Sequence, residues 1–328
     1  MKSAIVFINL GTPAAPDSKH VRRFLKEFLW DRRVVEVPRV LWWLILNLII
    51  LPFRSPKVAG AYRQIWMDNI SPLRFFSESL VKQIAEKLQQ QYPDQEIETA
   101  LAMTYGEPGI AEQIATLREK GCDRFLFVPL YPQYSATTTA AVHDQINRYF
   151  AKCRDIPAWS WVRDYHDHPQ YINALADSVR DHWKSNGRGE KLLISFHGIP
   201  RRNVDLGDPY LAHCERTTAL LVDALGLSDN EWQLSFQSRL GKAEWLQPYT
   251  DKTVIGLAQS GVKHLDVICP AFAAECLETL EEIDGEANEL FRHHGGERFS
   301  YIPCLNSGAG QQTLMLELCR VFLQEKLS

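Results

Sequence analysis

A histidine stands directly after an apolar, strand-like run in the second half of the chain. The run is Lys191–Phe196, and it continues into His197, Gly198, Ile199 and Pro200. Glycine and proline turn the chain here, and the carboxyl ends of strands are where open α/β sheets bind ligands. Because imidazole ionises near neutral pH, His197 could accept a proton or ligate a metal ion. A purely structural role for this histidine stays open at this point.

A second candidate site follows the strand-like run His264–Ile268. Residues 275–289 contain seven acidic residues and no lysine or arginine. The acids are Glu275, Glu278, Glu281, Glu282, Asp284, Glu286 and Glu289. In a helix over Ala274–His293, Glu275, Glu278 and Glu282 would share one face, opposite an apolar face. Carboxylates without cationic partners attract divalent cations, so this segment is either a route for a metal ion or a solvated helix face.

Alternating strands and helices must position these residues. The strand-like runs are Ala4–Ile8, Glu98–Ala102, Phe125–Val128, Lys191–Phe196, Trp232–Phe236 and His264–Ile268. The helical patterns are Val21–Leu29, Phe76–Gln89, Ile110–Lys120, Pro169–Trp183, Leu211–Leu225, Lys252–Gln259, Ala274–His293 and Gln311–Leu327. This alternation predicts an α/β protein with mostly parallel sheets. The length of 328 residues favours two doubly wound lobes, 1–155 and 156–308, with a C-terminal helix in 309–328 that packs across the lobes.

Composition and charge exclude several classes of function. The chain is 45% hydrophobic and 23% charged, as ordinary soluble proteins are, and its net charge of −4 does not support nucleic-acid binding. It contains neither G-x-G-x-x-G nor G-x-x-x-x-G-K-[ST], the common phosphate-binding loops of nucleotide enzymes. Its seven cysteines form no C-x-x-C pair, which is typical of free thiols in a reducing compartment. The start of the chain has no signal-peptide pattern, so a cytoplasmic location is expected.

An uncharged stretch, Val40–Phe53, carries Trp42 and Trp43. A membrane-spanning helix needs about 20 apolar residues. This run is shorter and is interrupted by Asn47 and Pro52, so it is not expected to span. It is either a buried core helix or an apolar surface that contacts lipid or an apolar ligand.

Short motifs in both halves resemble the ferrochelatase family in order and spacing. In the second half they are HGIP at 197–200, FQSRLG at 236–241, WL at 245–246, CPAF at 269–272 and LETLEE at 277–282. In the first half they are NLGTP at 9–13, SPL at 71–73 and YPQYS at 131–135, followed by three threonines at 137–139. One such motif would be weak evidence, but the ordered set covers nearly the whole chain and is specific.

The resemblance implies two Rossmann-like lobes with parallel sheets and a porphyrin cleft between them. It also implies an enzyme that inserts ferrous iron into protoporphyrin IX and releases two protons, which is the last step of haem biosynthesis. The expected catalytic residues are His197, which matches the family's active-site histidine, and Glu278, which matches the carboxylate opposite it. The expected metal-binding residues are His197, Glu278, Glu275 and Glu282. The expected porphyrin-binding residues are Leu10, Tyr131, Trp245 and Phe272.

The resemblance also bears on cofactors and location. Where some relatives have a cysteine after YPQYS, this chain has Ala136, and no cysteine-rich tail follows Cys319. No iron–sulfur cluster or other prosthetic group is therefore expected, and iron is a substrate. Val40–Phe53 falls at the family's lipophilic mouth, which favours a peripheral contact with the inner face of the membrane. Two alternatives stay open: a non-catalytic porphyrin- or haem-binding protein, and a chelatase for coproporphyrin or for another metal.

Overall fold

The computed structural model describes residues 2–241 and 243–324, which fold into two compact α/β units. Unit 1 comprises Met1–Tyr131, Ser135–Asp164 and Gln312–Ser328. Unit 2 comprises Pro132–Tyr134 and Tyr165–Gln311. Each unit contains one four-stranded parallel sheet flanked by helices, so the α/β fold class predicted from the sequence is confirmed.

Unit 1 is built on a sheet in the order β2-β1-β3-β4. Its strands are β1 (Lys2–Asn9), β2 (Ile97–Met103), β3 (Cys122–Pro129) and β4 (Ala158–Trp161). Its helices are α1 (Ser18–Trp30), α2 (Arg39–Ile45), α3 (Leu51–Ile65), α4 (Pro72–Gln91), α5 (Ile110–Glu119) and α6 (Thr139–Phe150). Ala4–Ile8 of the central strand are wholly buried, because a parallel sheet covered on both faces needs an unbroken apolar strand.

The turn after β1 can be made only by glycine. Gly11 has a φ of +108°, and a Cβ added there would lie 1.7 Å from the carbonyl oxygen of Tyr105. The amide of Tyr105 in turn donates to the carbonyl of Leu10 at 2.9 Å. This close approach fixes the position of Leu10 beyond the end of β1.

Unit 2 repeats the strand order with its own elements, β6-β5-β7-β8. Its strands are β5 (Lys191–His197), β6 (Trp232–Gln237), β7 (His264–Ile268) and β8 (Arg298–Ile302). Its helices are α7 (Pro169–Asn186), α8 (Arg201–Asp205), α9 (Tyr210–Leu225), α10 (Thr250–Gln259) and, after a π-helix at Glu278–Ala287, α11 (Asn288–His293). The core lies where α10, α11 and the π-helix cover the sheet, around Leu193, Val267, Ile283 and Phe291.

The stretch from Arg39 to Ile65 is one long helix that includes a π-helical turn at Leu46–Ile50. One side packs into unit 1 through Trp42, Leu46, Leu51, Ala59 and Tyr62. Its other sides leave seven large apolar side chains exposed: Val40, Leu41, Trp43, Leu44, Leu48, Ile49 and Phe53. The alternative of a buried core helix is therefore wrong for most of this segment. By length and composition alone the helix could cross a membrane, and 22% of its most apolar window is buried.

The structure differs from the sequence expectations at several boundaries. All six predicted strands are present, but β4 and β8 were missed because they are short and partly exposed. Since β4 pairs with β3, unit 1 extends to Asp164 rather than ending at residue 155. The last helix, α12 (Ala309–Gln324), belongs to unit 1 from Gln312 onward. The predicted end of this helix at Leu327 lies outside the described residues.

Candidate active site

The predicted histidine and acids of unit 2 meet at the centre of one sheet edge. β5 and β7 are neighbours, but the chain leaves β5 towards β6 and leaves β7 towards β8, on the other side. Loops that diverge in this way open a crevice at the carboxyl ends of the two strands, where α/β proteins bind ligands. His197 is the last residue of β5, and Phe272, Glu275 and Glu278 follow β7.

The hydrogen bond of His197 determines its tautomer. Nδ1 lies 2.6 Å from the carbonyl oxygen of Gly198. A carbonyl oxygen can only accept, so Nδ1 carries the hydrogen and Nε2 of the neutral ring holds a lone pair. The main chain is fixed as well, because the hydroxyl of Tyr210 donates to the carbonyl of His197 at 2.9 Å. The ring therefore presents a base or metal ligand at a fixed position.

The segment after His197 is held by the loop that carries Trp245. Gly198 donates its amide hydrogen to the carbonyl of Gln237 at 2.8 Å, and Pro200 bridges to Trp245. A Cβ at Gly198 would lie 2.8 Å from the Gln237 carbonyl oxygen and 3.3 Å from the Trp245 ring. Only glycine allows this packing, which brings the Trp245 indole against Gly198, the residue that follows the histidine. Phe272 lies on another side, with its ring centre 6.2 Å from that of His197.

Glu278 and Glu282 lie on the π-helix, not on a regular α-helix. Such wide turns bond residue i to i+5 and frequently occur at functional sites. The carboxylate of Glu282 accepts hydrogen bonds from the amide of Ser238 at 2.7 Å and from the Ser238 hydroxyl. Burial raises the pKa of Glu282, and the nearby charge of Glu278 raises it further. The hydrogen bonds from Ser238 and the interaction with His197 lower it, but burial is the largest effect. Glu282 therefore lies within electrostatic range of both His197 and Glu278.

Glu275 occupies a different position from the one expected. It precedes the helix, which begins at Leu277 rather than at Ala274, and it is 5% exposed. Its carboxylate accepts from the hydroxyls of Thr279 and Tyr301, at 2.5 and 2.8 Å, and from the amide of Cys304 at 2.9 Å. These three bonds hold the loop between β7 and the π-helix.

Gln237, the last residue of β6, and Ser238 belong to the FQSRLG motif, but the sequence pattern assigns neither of them a role. Gln237 is 3% exposed and donates from Nε2 to the carbonyl of Glu278 at 2.8 Å. Its Oε1 accepts from the Ser195 hydroxyl at 2.8 Å. Ser238 binds Glu282 and has a φ of +66°. Their place directly after a central strand was the one available sequence signal.

The expected porphyrin-binding residues of unit 1 lie at the corresponding edge of its own sheet. Leu10 follows β1 and Tyr131 follows β3, and these two strands are neighbours. The Tyr131 hydroxyl lies 3.2 Å from the hydroxyl of Thr104, and burial raises the pKa of Tyr131. Both side chains are partly exposed, so each can contact a ligand.

Known proteins resemble this chain in sequence and in structure. The family model described as Ferrochelatase matches residues 2–321. A ferrochelatase from Aeromonas hydrophila is 52% identical over 97% of this chain and 98% of its own length. A ferrochelatase from Vibrio parahaemolyticus is 50% identical over 97% of this chain and 98% of its own length. Among solved structures, SirB from Bacillus subtilis with Fe3+ aligns with a TM-score of 0.56 at 14% identity, covering 98% of this chain and 95% of that one. CbiX, described as the terminal enzyme for siroheme biosynthesis in denitrifying bacteria, aligns with a TM-score of 0.53 at 12% identity. The alignment covers 98% of this chain and 99% of CbiX.

The structural similarities define a protein with the chelatase-type α/β fold. The sequence similarities go further, because they extend at about half identity over nearly the full length of both partners. The chain belongs to the ferrochelatase family, and it is a metal chelatase that inserts iron into a porphyrin for haem synthesis.

Proposed function

We propose that the porphyrin is protoporphyrin IX, that the metal is ferrous iron, and that His197 is the base. Ferrous iron replaces two pyrrole protons, so two protons leave and no electron is transferred. The observation that carries the proposal is the 2.6 Å distance from Nδ1 of His197 to the Gly198 carbonyl oxygen, from which it follows that Nδ1 carries the hydrogen and Nε2 of the neutral ring holds a lone pair. The imidazole lies within electrostatic reach of Glu282, so a proton taken up at Nε2 gains a favourable partner.

Glu278 and Glu282 are the proposed iron-binding carboxylates, together with His197. Both are partly exposed, and hard or borderline divalent cations bind such oxygens readily. Glu275 was expected to extend this acidic route. Its carboxylate already accepts three hydrogen bonds and is almost fully buried, so it offers little access to an incoming cation. We assign it the role of anchoring the loop that carries Glu278.

The proposed porphyrin-binding residues are apolar or aromatic. In unit 2, Trp245 packs against Gly198 and Phe272 lies beside His197. In unit 1, Leu10 and Tyr131 follow β1 and β3. Aromatic and aliphatic faces suit a flat macrocycle. They favour protoporphyrin over more acidic tetrapyrroles, which need many basic partners. Packing against such faces can favour a bent ring over a planar one.

A cytoplasmic location with peripheral membrane contact is part of the proposal. The seven exposed apolar side chains of the Arg39–Ile65 helix form a surface suited to a lipid face. We also propose that catalysis needs no iron–sulfur cluster, since Ala136 replaces the cysteine of some relatives. Visible absorption of the purified protein, without added porphyrin, tests this: a sulfide-to-iron charge-transfer band would contradict it.

Turnover tests the function directly. The purified protein is mixed anaerobically with protoporphyrin IX and ferrous iron, and the loss of free-porphyrin fluorescence is followed against a no-enzyme control. Many porphyrins metallated per protein are expected. Metallation of coproporphyrin alone would reassign the substrate. Stoichiometric binding of both porphyrins without metallation would contradict the proposed function.

His197→Ala tests the proposed base. Turnover should be abolished while porphyrin binding, measured by fluorescence, is retained. His294→Ala is the matched control, because Nδ1 of His294 also bonds a carbonyl, that of Leu290 at 2.8 Å, but at the far end of the helical segment. Strong residual turnover in His197→Ala would remove this residue from the base role.

A further inference from the structure

Ser238 adopts a backbone conformation that serine rarely takes. Its φ is +66°, and among the described residues only Asp68 and Asn306 are other non-glycine residues with a positive φ. Asp and Asn tolerate this left-handed region because their short side chains bond locally. Serine has less such compensation, so the surroundings must hold it there. Strained residues of this kind cluster at active sites.

The conformation directs two donors of Ser238 at a single carboxylate. The amide N–H donates to Oε1 of Glu282 at 2.7 Å, and the hydroxyl donates to Oε2. Each oxygen of Glu282 thus receives one hydrogen bond from the same residue. The amide of Gln237, 3.5 Å from Oε2, adds a long contact from the same loop.

We propose that Ser238 is a positioning residue for iron: its hydroxyl, directed by the left-handed backbone, orients the Glu282 carboxylate so that the remaining lone pairs face the incoming cation. This inference rests on the proposed function of the site. A carboxylate has about four lone-pair sites, and Ser238 occupies one on each oxygen. The group is therefore held in place yet keeps acceptor capacity for a metal ion.

Two substitutions separate orientation from backbone strain. Ser238→Ala removes the hydroxyl and keeps the strained φ, whereas Ser238→Gly removes the hydroxyl and relieves the strain. Loss of one hydrogen bond to a charged group corresponds to about a tenfold change in affinity. Both variants should therefore raise the KM for ferrous iron about tenfold and leave the KM for protoporphyrin within about twofold. If Ser238 merely stabilises the loop, the two variants will differ, with glycine nearer to wild type.

Binding of Zn2+ to the porphyrin-free protein, measured by calorimetry, gives a readout that does not need turnover. Both Ser238 variants should lose about tenfold in affinity. In a Glu282→Gln background, Ser238→Ala should cause no further loss, because Ser238 acts through that carboxylate. Ser178→Ala is the control, since the hydroxyl of Ser178 bonds a carbonyl within α7.

The inference is overturned if both variants keep wild-type Zn2+ affinity, if the loss persists in the Glu282→Gln background, or if wild type binds no Zn2+. A rise in the porphyrin KM equal to that for iron would also overturn it. Failure of the proposed function looks different, because wild type would then bind Zn2+ but metallate no porphyrin.

Discussion

The side-chain amide of Gln237 donates a hydrogen bond of 2.8 Å to the main-chain carbonyl of Glu278. This bond ties the end of β6 to the first residue of the π-helix. The other end of the same side chain accepts from Ser195 of β5, whose hydroxyl lies 2.9 Å from that of Thr250. The position of Glu278 is therefore set by a buried polar network beneath the sheet edge as well as by its own helix.

Gln237→Ala should weaken both the fold and the reaction. The Ser195 hydroxyl and the Glu278 carbonyl each lose a partner, and an unsatisfied buried polar group costs about 1–3 kcal/mol. We expect the free energy of unfolding to fall by about this amount and kcat to fall with it, as Glu278 loses its tether. Urea unfolding and initial rates measure the two effects. Gln90→Ala, on the exposed face of α4, should change neither; a Gln237 variant equal to this control would contradict the role of the network.

Glu275→Ala should be strongly destabilising, although Glu275 lies in the acidic segment. The change removes the carboxylate that accepts from the Thr279 and Tyr301 hydroxyls and from the Cys304 amide. The Thr279 hydroxyl keeps only a longer contact, 3.2 Å, with the carbonyl of Cys276. We expect a loss of about 2–5 kcal/mol in the free energy of unfolding, measured by urea denaturation. Glu286→Ala, an exposed acid further along the same helical segment, should change it by less than about 0.5 kcal/mol. Equal effects of the two substitutions would show that the buried bonds of Glu275 do not anchor the loop.

The sequence predicted six of the eight described strands and placed His197 and the acidic segment after two of them, but it did not predict the local geometry. Central strands such as β1 are unbroken apolar runs, and His197 stands at the end of another such run. The strands and the place of the histidine could therefore be recognised from the hydrophobic pattern. The burial of Glu275 could not be predicted, because two of the three donors to its carboxylate come from β8 and the following loop, far away in sequence. The π-helix was missed for a related reason: 3.6-residue periodicity assumes a regular α-helix, and nothing local marks the wider turns.

Stability should depend on pH through Glu282. Burial raises the pKa of this carboxyl above its ordinary value of about 4.3. The folded protein then holds the proton more tightly than the unfolded chain, so the free energy of unfolding falls as pH rises from the ordinary pKa through the raised one. Glu282→Gln removes this titration. Its stability relative to wild type should therefore improve as pH rises through that window.

Urea unfolding at several pH values between about 4 and 7 measures this difference. Glu286→Gln is the control, because that side chain is exposed and its difference from wild type should stay flat. A Glu282→Gln difference that stays flat, or that worsens with rising pH, would show that Ser238 and His197 outweigh the effect of burial.

Leu48→Glu combined with Phe53→Glu should weaken membrane contact without unfolding unit 1. The two side chains are 63% and 78% exposed on the Arg39–Ile65 helix, so they contribute little to the core. Burying each in a lipid surface would contribute about 1.5–3 kcal/mol. Co-sedimentation with vesicles of phosphatidylglycerol and phosphatidylethanolamine should therefore fall at least tenfold, while the unfolding midpoint changes little. Leu206→Glu is the matched control, since Leu206 is 65% exposed but lies outside this helix. If the control reduces binding as much as the double variant, lipid association does not use the Arg39–Ile65 surface.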